Sequence, residues 1–208
     1  MTKNRLETFS DGVFTVAITL LVLNFKMPKG PVSALKGQLF ALWPNMLAFI
    51  ISFVIVGVFW VAHHHVFQFI VKTNRTHLWI NNLFLMTIAF MPFPAGVLGK
   101  YPFSRVSIIL YGCTLIATDA LLTLSWMYAT RAALINPRTP ADFRGLYSLI
   151  IFAPVFAYAA AIAISYVNLL IPLLIFAVVP LFYIVPHGFI ERRVAKVLEE
   201  IEQKQGKN

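Results

Sequence analysis

The sequence predicts an all-α membrane protein with six transmembrane helices, and three observations lead to this fold class. The 208-residue chain is 59% hydrophobic and 12% charged, with a mean hydropathy of +0.78. Soluble domains are usually about half apolar and a quarter charged. Six apolar runs each reach about 20 residues, the length that crosses a bilayer as a helix. The Lys and Arg residues also fall unevenly between the segments that join these runs.

The six predicted helices follow one another with short connections. They cover residues 8–25, 44–71, 78–97, 106–129, 147–167 and 170–189. Residues 29–43 are weakly amphipathic, and we expect them to form a short helix at the membrane interface. We therefore assign residues 1–190 to one membrane domain and residues 191–208 to a charged cytoplasmic tail.

The distribution of positive charge predicts the topology. Six crossings place both termini on one side of the membrane. With the termini inside, twelve of the 17 Lys and Arg residues lie in inside segments and five in outside segments. Positive residues are enriched on the cytoplasmic side, so both termini are predicted to be cytoplasmic. The net charge of +9 lies in short loops and tails, where anionic lipid head groups are a better partner than nucleic acid.

Polar residues gather at the cytoplasmic ends of the first three predicted helices. Polar groups inside a bilayer are costly and normally face one another. Trp60 and His64 are four residues apart, so they share a helix face. We interpret the set as one network, formed by Arg5, Ser10, Asp11, Trp60, a histidine and Asn82. The alternative is that these are ordinary interfacial residues, because Trp, His and Arg are common near head groups.

Three consecutive histidines, residues 63–65, raise the question of a metal site. Neighbouring residues on a helix point about 100° apart, so these side chains fan out. Zinc sites on helices use spacings such as i and i+4, and no further ligands with suitable spacing converge here. We therefore predict no metal, no cofactor and no enzymatic activity. Asp119, midway along the fourth predicted helix, is the most deeply placed acid and is expected to bond within the helix bundle.

The first helix has a second face that is apolar. With about 100° between successive residues, Val16, Thr19, Leu20 and Leu23 fall within roughly 100° of arc, and Asp11 falls on the far side. If Asp11 turns towards the other helices of its own chain, this stripe points away from them. It then meets lipid, a partner chain or a pore, and the helical wheel leaves all three open.

One motif at the start of the chain resembles a known family. Arg5, Phe9, Ser10 and Asp11 form an R-x-x-x-F-S-D motif, which Thr19 and the sequence LLVL at 20–23 follow. This pattern resembles the first helix of the transmembrane protein 175 family of potassium channels. Family-like residues continue in the second helix and in NNLFLMTIAFMPFP, with Trp60, His63, His64, Phe67 and residues 81–94. Beyond the third helix only the hydropathy pattern is similar.

The resemblance implies a potassium-selective cation channel without a re-entrant filter loop, in which the first helix lines the pore. A prokaryotic member with one six-helix unit assembles as a homotetramer in the cell membrane. Val16 then occupies the tightest ring, and Thr19, Leu20 and Leu23 line the pore beside it. The implied partners are K⁺ and other monovalent cations, membrane lipid and further copies of the chain. The residues implied to hold the helices together are Arg5, Phe9, Ser10, Asp11, Trp60, His64 and Asn82.

Two points remain open after this resemblance. Members of the family usually carry Ile or Leu at the narrowest position, and the smaller Val16 is expected to widen it, which affects the strictness of ion selectivity. The alternative function is a proton channel or small-solute transporter that uses Asp11, the histidines and Asp119.

Overall fold

The chain is helical throughout the part that the structure describes. The computed structural model describes residues 2–29 and 31–184, together with Val194, Lys196, Val197 and Glu199. The helices in order are α1 (Lys3–Leu20), α2 (Val32–Ala41), α3 (Trp43–Phe69), α4 (Arg75–Phe90), α5 (Pro92–Lys100), α6 (Arg105–Arg131), α7 (Ala141–Ile164) and α8 (Leu170–Ile184). A short 3-10 turn, Leu21–Asn24, extends α1. The predicted all-α fold class is confirmed.

The predicted apolar runs correspond to these helices. Judged by length and composition, five described segments are long enough to cross a membrane: Lys3–Asn24, Trp43–Phe69, Arg75–Lys100, Arg105–Arg131 and Ala141–Ile164. α8 is apolar but shorter, at 15 described residues. The end of the sixth predicted helix, at residues 185–189, lies outside the described residues. So does the predicted tail, except for four helical positions between Val194 and Glu199.

The third predicted helix is divided at Pro92, which separates α4 from α5. Proline has no N–H to donate to the carbonyl four residues earlier. That carbonyl, on Ile88, instead accepts from the backbone N–H of Met91 at 3.1 Å. The carbonyl of Pro92 accepts a hydrogen bond from the Asn24 side chain at 2.9 Å. This bond attaches the Asn24 end of the first span to α5.

α6 lies at the centre of the bundle. Tyr111, Leu115, Leu122 and Trp126 of this helix are all buried. The Tyr111 hydroxyl shares a hydrogen bond of 2.8 Å with Ser52 of α3. At the other end, Trp126 packs its ring edge to face against Phe69 of α3 and Tyr147 of α7. Such edge-to-face contacts add to the apolar burial that holds the helices together.

α1 lies at the side of this bundle and packs on α3 and α4 through one face. Its buried residues follow one another at intervals of three and four: Leu6, Ser10, Phe14, Ala17 and Leu21. That spacing is the signature of a helix with a single buried stripe. About half of its circumference is therefore not covered by its own chain.

Gly99 permits the close contact between α5 and α3. A Cβ atom added there would lie 3.0 Å from the Cα of Asn45, and backbone atoms cannot yield to it. We expect Gly99→Ala to destabilise the fold by about 1–3 kcal/mol, the usual cost of overpacking. The measurement is thermal unfolding of the purified protein, followed by intrinsic fluorescence. Gly37→Ala is the matched control, because a Cβ at Gly37 of α2 meets no atom within 4 Å. Equal melting temperatures for the two variants would contradict the assigned packing.

Candidate functional site

A buried chain of hydrogen bonds joins α1, α4 and α3. His63 Nε2 lies 2.9 Å from Asn81 Oδ1, and Asn81 Nδ2 donates to Ser10 Oγ at 3.1 Å. The Ser10 hydroxyl donates in turn to the backbone carbonyl of Leu6 at 2.9 Å. Because Asn81 Oδ1 can only accept, His63 Nε2 is assigned the proton and donates to it. All three bonds then run in the same direction, from His63 to the Leu6 carbonyl. Every polar atom between the imidazole and the α1 backbone then has a partner.

Aromatic rings surround the imidazole of this chain. The Phe84 ring lies parallel to the His63 ring with centroids 5.5 Å apart, and Phe67 stacks on it at 4.4 Å. Phe14 of α1 packs against it at 5.8 Å. Hydrogen bonds in such an apolar environment are strong, and an unpaired polar atom there is costly. This polar chain therefore determines how α1 sits on α3 and α4.

His63 and Asn81 belong to this buried chain of hydrogen bonds, and His64 and Asn82 do not. His64 is exposed, and its ring stacks on Trp60 while its Nε2 lies 3.2 Å from Gln68 Nε2. Asn82 is exposed too, so the parts of His64 and Asn82 in a polar network stay predictions. Adjacent residues on a helix point about 100° apart, and the third histidine, His65, lines a separate cavity.

A signal for the correct residues is present in the apolar spacing around them. His63 lies four residues after Phe59 and four before Phe67, both of which are buried. Asn81 precedes the buried Phe84 by three residues. Residues at these intervals share one helix face, so the aromatic pattern indicates the inward-facing member of each run.

A second polar contact, between Trp60 and Asp11, lies near the buried chain of hydrogen bonds. Trp60 Nε1 donates to Asp11 Oδ1 at 3.0 Å, which joins α3 to α1. Trp60 is 43% exposed and Asp11 is also exposed within the chain. The expected single network is therefore two separate sets. Arg5 is exposed as well, and its part in a network stays a prediction.

The apolar stripe of α1 lies on the uncovered side of the helix. Val16 is 56% exposed, Leu20 40% and Leu23 72%, and Thr19 is exposed with them. Phe9 lies on the same stripe and is 52% exposed. Its part in holding helices together stays a prediction, and a contact for its exposed side needs a partner outside the described chain.

The Thr19 hydroxyl gives this stripe a polar atom of defined orientation. The hydroxyl donates its proton to the α1 backbone, to the carbonyls of Val16 at 2.8 Å and Thr15 at 3.1 Å. A hydroxyl has one proton and two lone pairs. With the proton engaged by the helix, the oxygen is left as an acceptor on the exposed stripe, the polarity that suits a cation.

Sequence reasoning did not foresee a further polar set between α4 and α6. The Asn74 side chain caps α4 by accepting from the His77 backbone N–H at 2.9 Å and also donates to the Tyr128 hydroxyl at 2.9 Å. His77 Nε2 pairs with Ser125 Oγ at 3.0 Å. An Asn that precedes a helix by one residue is a typical N-cap, and this signal was available in the sequence.

Metal ligands do not converge in the described part of the chain. Within residues 2–29 and 31–184, the structure places no three His, Cys, Asp or Glu side chains so that they could hold a metal ion. The absence of a cofactor stays a prediction. Asp119 lies apart from the polar chain, in a cavity between α3, α6, α7 and α8.

The buried hydrogen bonds depend on Asn81, because its side chain contacts both His63 and Ser10. Replacing it with Leu removes a partner from both His63 and Ser10, and a buried unpaired group costs about 1–3 kcal/mol. We expect Asn81→Leu to lower the melting temperature of the purified protein clearly. Asn82→Leu makes the same chemical change at an exposed neighbour and should leave the melting temperature nearly unchanged. The opposite order would show that Asn82, and not Asn81, bridges the helices.

Comparisons with known proteins found a matching family model and several similar proteins. The family model described as "Endosomal/lysosomal potassium channel TMEM175" matches residues 5–92. A potassium channel of Streptomyces collinus is 38% identical over 146 residues, 67% of this chain and 70% of its own. A potassium channel of Chryseobacterium is 32% identical over 200 residues, 96% of this chain and 100% of its own. The human endosomal/lysosomal proton channel TMEM175 is 27% identical over 181 residues, which is 36% of its length.

A solved structure of the same family is also similar to this chain. The crystal structure of a lysosomal potassium-selective channel TMEM175 homologue from Chamaesiphon minutus superposes with a TM-score of 0.79 at 30% identity, over 88% of this chain and 96% of that one. The relatives are ion channels, which confirms that the chain is not an enzyme. The apolar helices make it an integral membrane protein. This chain belongs to the TMEM175 family of ion channels.

Proposed function

We propose that this protein is a potassium-selective channel in which four copies of the chain enclose a central pore lined by α1. One observation carries the proposal. α1 is attached to its own chain through one face, and its uncovered side carries the stripe of Val16, Leu20 and Leu23 with the Thr19 hydroxyl oxygen left as an acceptor beside them. The names of the bacterial relatives support potassium as the permeant ion.

The membrane arrangement is part of the proposal. α8 completes a set of six crossings, both termini lie in the cytoplasm, and the protein resides in a prokaryotic cell membrane. The uneven distribution of Lys and Arg supports this orientation. The bacterial origin of the two potassium channel relatives supports the location.

Val16 forms the narrowest ring of the proposed pore. Four valine side chains around the axis make an apolar collar, and such a collar stops ions by losing its water when it is narrow. When it is wider it passes a partly hydrated cation. Valine is smaller than leucine or isoleucine, so the collar needs only a small displacement of α1 to admit an ion.

Thr19 lies one turn beyond the collar and supplies oxygen ligands. Its proton is held by the α1 backbone, so each of the four hydroxyl oxygens accepts a cation in place of lost water. Potassium releases its water more readily than sodium does, so weak ligands of this kind favour potassium. Without a cage of backbone carbonyls the preference is expected to be modest.

Both ends of α1 are held by side chains of neighbouring helices, which keeps the pore residues in register. Ser10 is tied to Asn81 near one end, and Asn24 is tied to Pro92 at the other. The exposed residues Phe9 and Asp11 lie where a neighbouring copy would pack. We propose that these side chains, together with Arg5 and Trp60, form contacts between subunits.

A proton pathway is the second candidate, and one observation favours it: the human relative is named as a proton channel. Some of the residues of that path lie near one another. His65 and Asp119 line the same cavity, and Trp60, which also lines it, donates to Asp11. His63 lies apart from this cavity, in the buried chain of hydrogen bonds. Vesicles loaded with potassium and a pH dye distinguish the two functions, because each cation that crosses needs the other to balance its charge. A potassium channel acidifies the lumen once a protonophore is added, whereas a proton channel acidifies it once a potassium ionophore is added.

Val16→Ala tests the collar. The smaller side chain should widen the ring, raise total conductance and bring sodium and potassium permeability closer together. The measurement is the reversal potential in planar bilayers with potassium on one side and sodium on the other. Val22→Ala is the matched control, because Val22 is also exposed, at 52%, but lies off the stripe. A reversal potential that moves with Val22→Ala and not with Val16→Ala would place the collar elsewhere.

Thr19 is tested by a pair of substitutions. Thr19→Val keeps the shape and removes the oxygen, so potassium selectivity over sodium should fall. Thr19→Ser keeps the hydroxyl and should restore most of the selectivity. Conductance and reversal potential are recorded for both variants under the same gradient. If Thr19→Val behaves like the unmodified channel, its oxygen does not coordinate the permeant ion.

A further inference from the structure

A cavity of about 510 Å³ lies away from the α1 stripe, between α3, α6, α7 and α8. Its size falls within the range of pockets that hold small molecules. Most of its wall is apolar or aromatic and includes Phe53, Leu122, Tyr147 and Tyr158. Its rim reaches the outer surface of the helices, where Phe53 is 45% exposed. The cavity is therefore open at the surface of the single chain.

The cavity contains one acidic side chain whose polarity is not compensated. Asp119 of α6 lines it and is only 4% exposed. Its Oδ2 atom has no hydrogen-bond partner among the described residues. One turn along α6, the buried Thr123 hydroxyl also lacks one. Buried polar atoms without partners are rare in folded proteins, and they commonly mark a place where a water molecule or a ligand binds.

One backbone carbonyl that a proline leaves unpaired in this region has found another partner. Pro154 interrupts α7 and has no N–H for the carbonyl of Ile150, four residues earlier. That carbonyl accepts from the Tyr183 hydroxyl of α8 at 3.0 Å. Tyr183 and Pro154 both line the cavity. The fold thus supplies a partner for this carbonyl, whereas Asp119 Oδ2 has none among the described residues.

We propose that this cavity is a binding site for an amphipathic amine, whose apolar body fills the space between the helices and whose amino group bonds to Asp119. An amine donates N–H and, with the acid, shares one proton, so the bound pair brings no net charge into the bilayer. Charge-assisted hydrogen bonds of this type are about twice as strong as neutral ones.

The choice of an amine over other head groups follows from the acid. A carboxylate or phosphate head group would bring an uncompensated negative charge into an apolar cavity. A neutral alcohol can donate one hydrogen bond but forms no charge-assisted bond with the acid. The body of the ligand is required to be compact and apolar, because the cavity wall offers little other than hydrocarbon and aromatic surface.

The test uses the purified full chain in lipid nanodiscs and a defined probe, para-trifluoromethyl-phenethylamine. Its neutral isostere, the corresponding phenethyl alcohol, measures the contribution of the amino group. Fluorine NMR titrations give the affinity of each probe, and empty nanodiscs measure simple partition into lipid. Binding is read without any ion flux, so the outcome does not depend on the proposed channel function.

Three variants separate charge from space. Asp119→Asn keeps the shape and should weaken amine binding roughly tenfold, which removes the preference for the amine over the alcohol. Gly57→Leu fills the cavity, since Gly57 lines it and an added Cβ meets no atom within 4 Å. It should weaken both probes. Asp142→Asn changes an exposed acid at the start of α7 and should change neither.

The proposal is overturned if the amine binds no better than it does to empty nanodiscs, or if Asp119→Asn leaves its affinity unchanged. If Asp119→Asn does not fold, Gly57→Leu decides the question, because it leaves the acid in place. Amine binding that survives Gly57→Leu at full affinity would also rule the cavity out.

Discussion

The arrangement of this protein depends on the hydrogen-bonded chain from His63 through Asn81 to Ser10. Inside a membrane, a polar group that loses its partner has no water to replace it. Rotating α1 by one residue would remove Ser10 from Asn81 and leave the polar atoms of the chain unpaired, at about 1–3 kcal/mol for each group. These hydrogen bonds between His63, Asn81 and Ser10 therefore fix the rotation of α1. That rotation decides which of its aliphatic residues face away from the bundle.

The same requirement acts at the other end of the first span. Pro92 interrupts the third predicted helix, and its carbonyl accepts from Asn24. Between these two attachments, the hydroxyls of Thr15 and Thr19 bond only to the backbone of α1 itself in the described structure. α1 is thus fixed near its ends and free of polar ties to other helices along the stripe that carries Val16. Such a helix can present a uniform apolar surface without losing its register.

Much of this could be predicted from the sequence, because hydropathy and helical periodicity are local properties. The apolar runs and the exposed stripe of α1 follow from residue spacing alone. Choosing His63 over His64, or Asn81 over Asn82, requires the rotation of α3 and α4, which depends on tertiary packing. The spacing of the aromatic residues around His63 indicates the rotation of α3, whereas the three consecutive histidines by themselves do not show which one faces inward. The cavity beside Asp119 could not be predicted, because it is formed by four helices that meet far apart in sequence.

The two functional regions are joined through α3. Trp60 lines the cavity, and its Nε1 donates to Asp11 on α1. A molecule that fills the cavity against Trp60 therefore touches the side chain that orients the acid at the head of the proposed pore helix. An occupant shifts a channel between states only as far as it binds one state better than the other. The rotamer of Trp60 is one route through which such a difference would reach α1, since its side chain lines the cavity and bonds to Asp11.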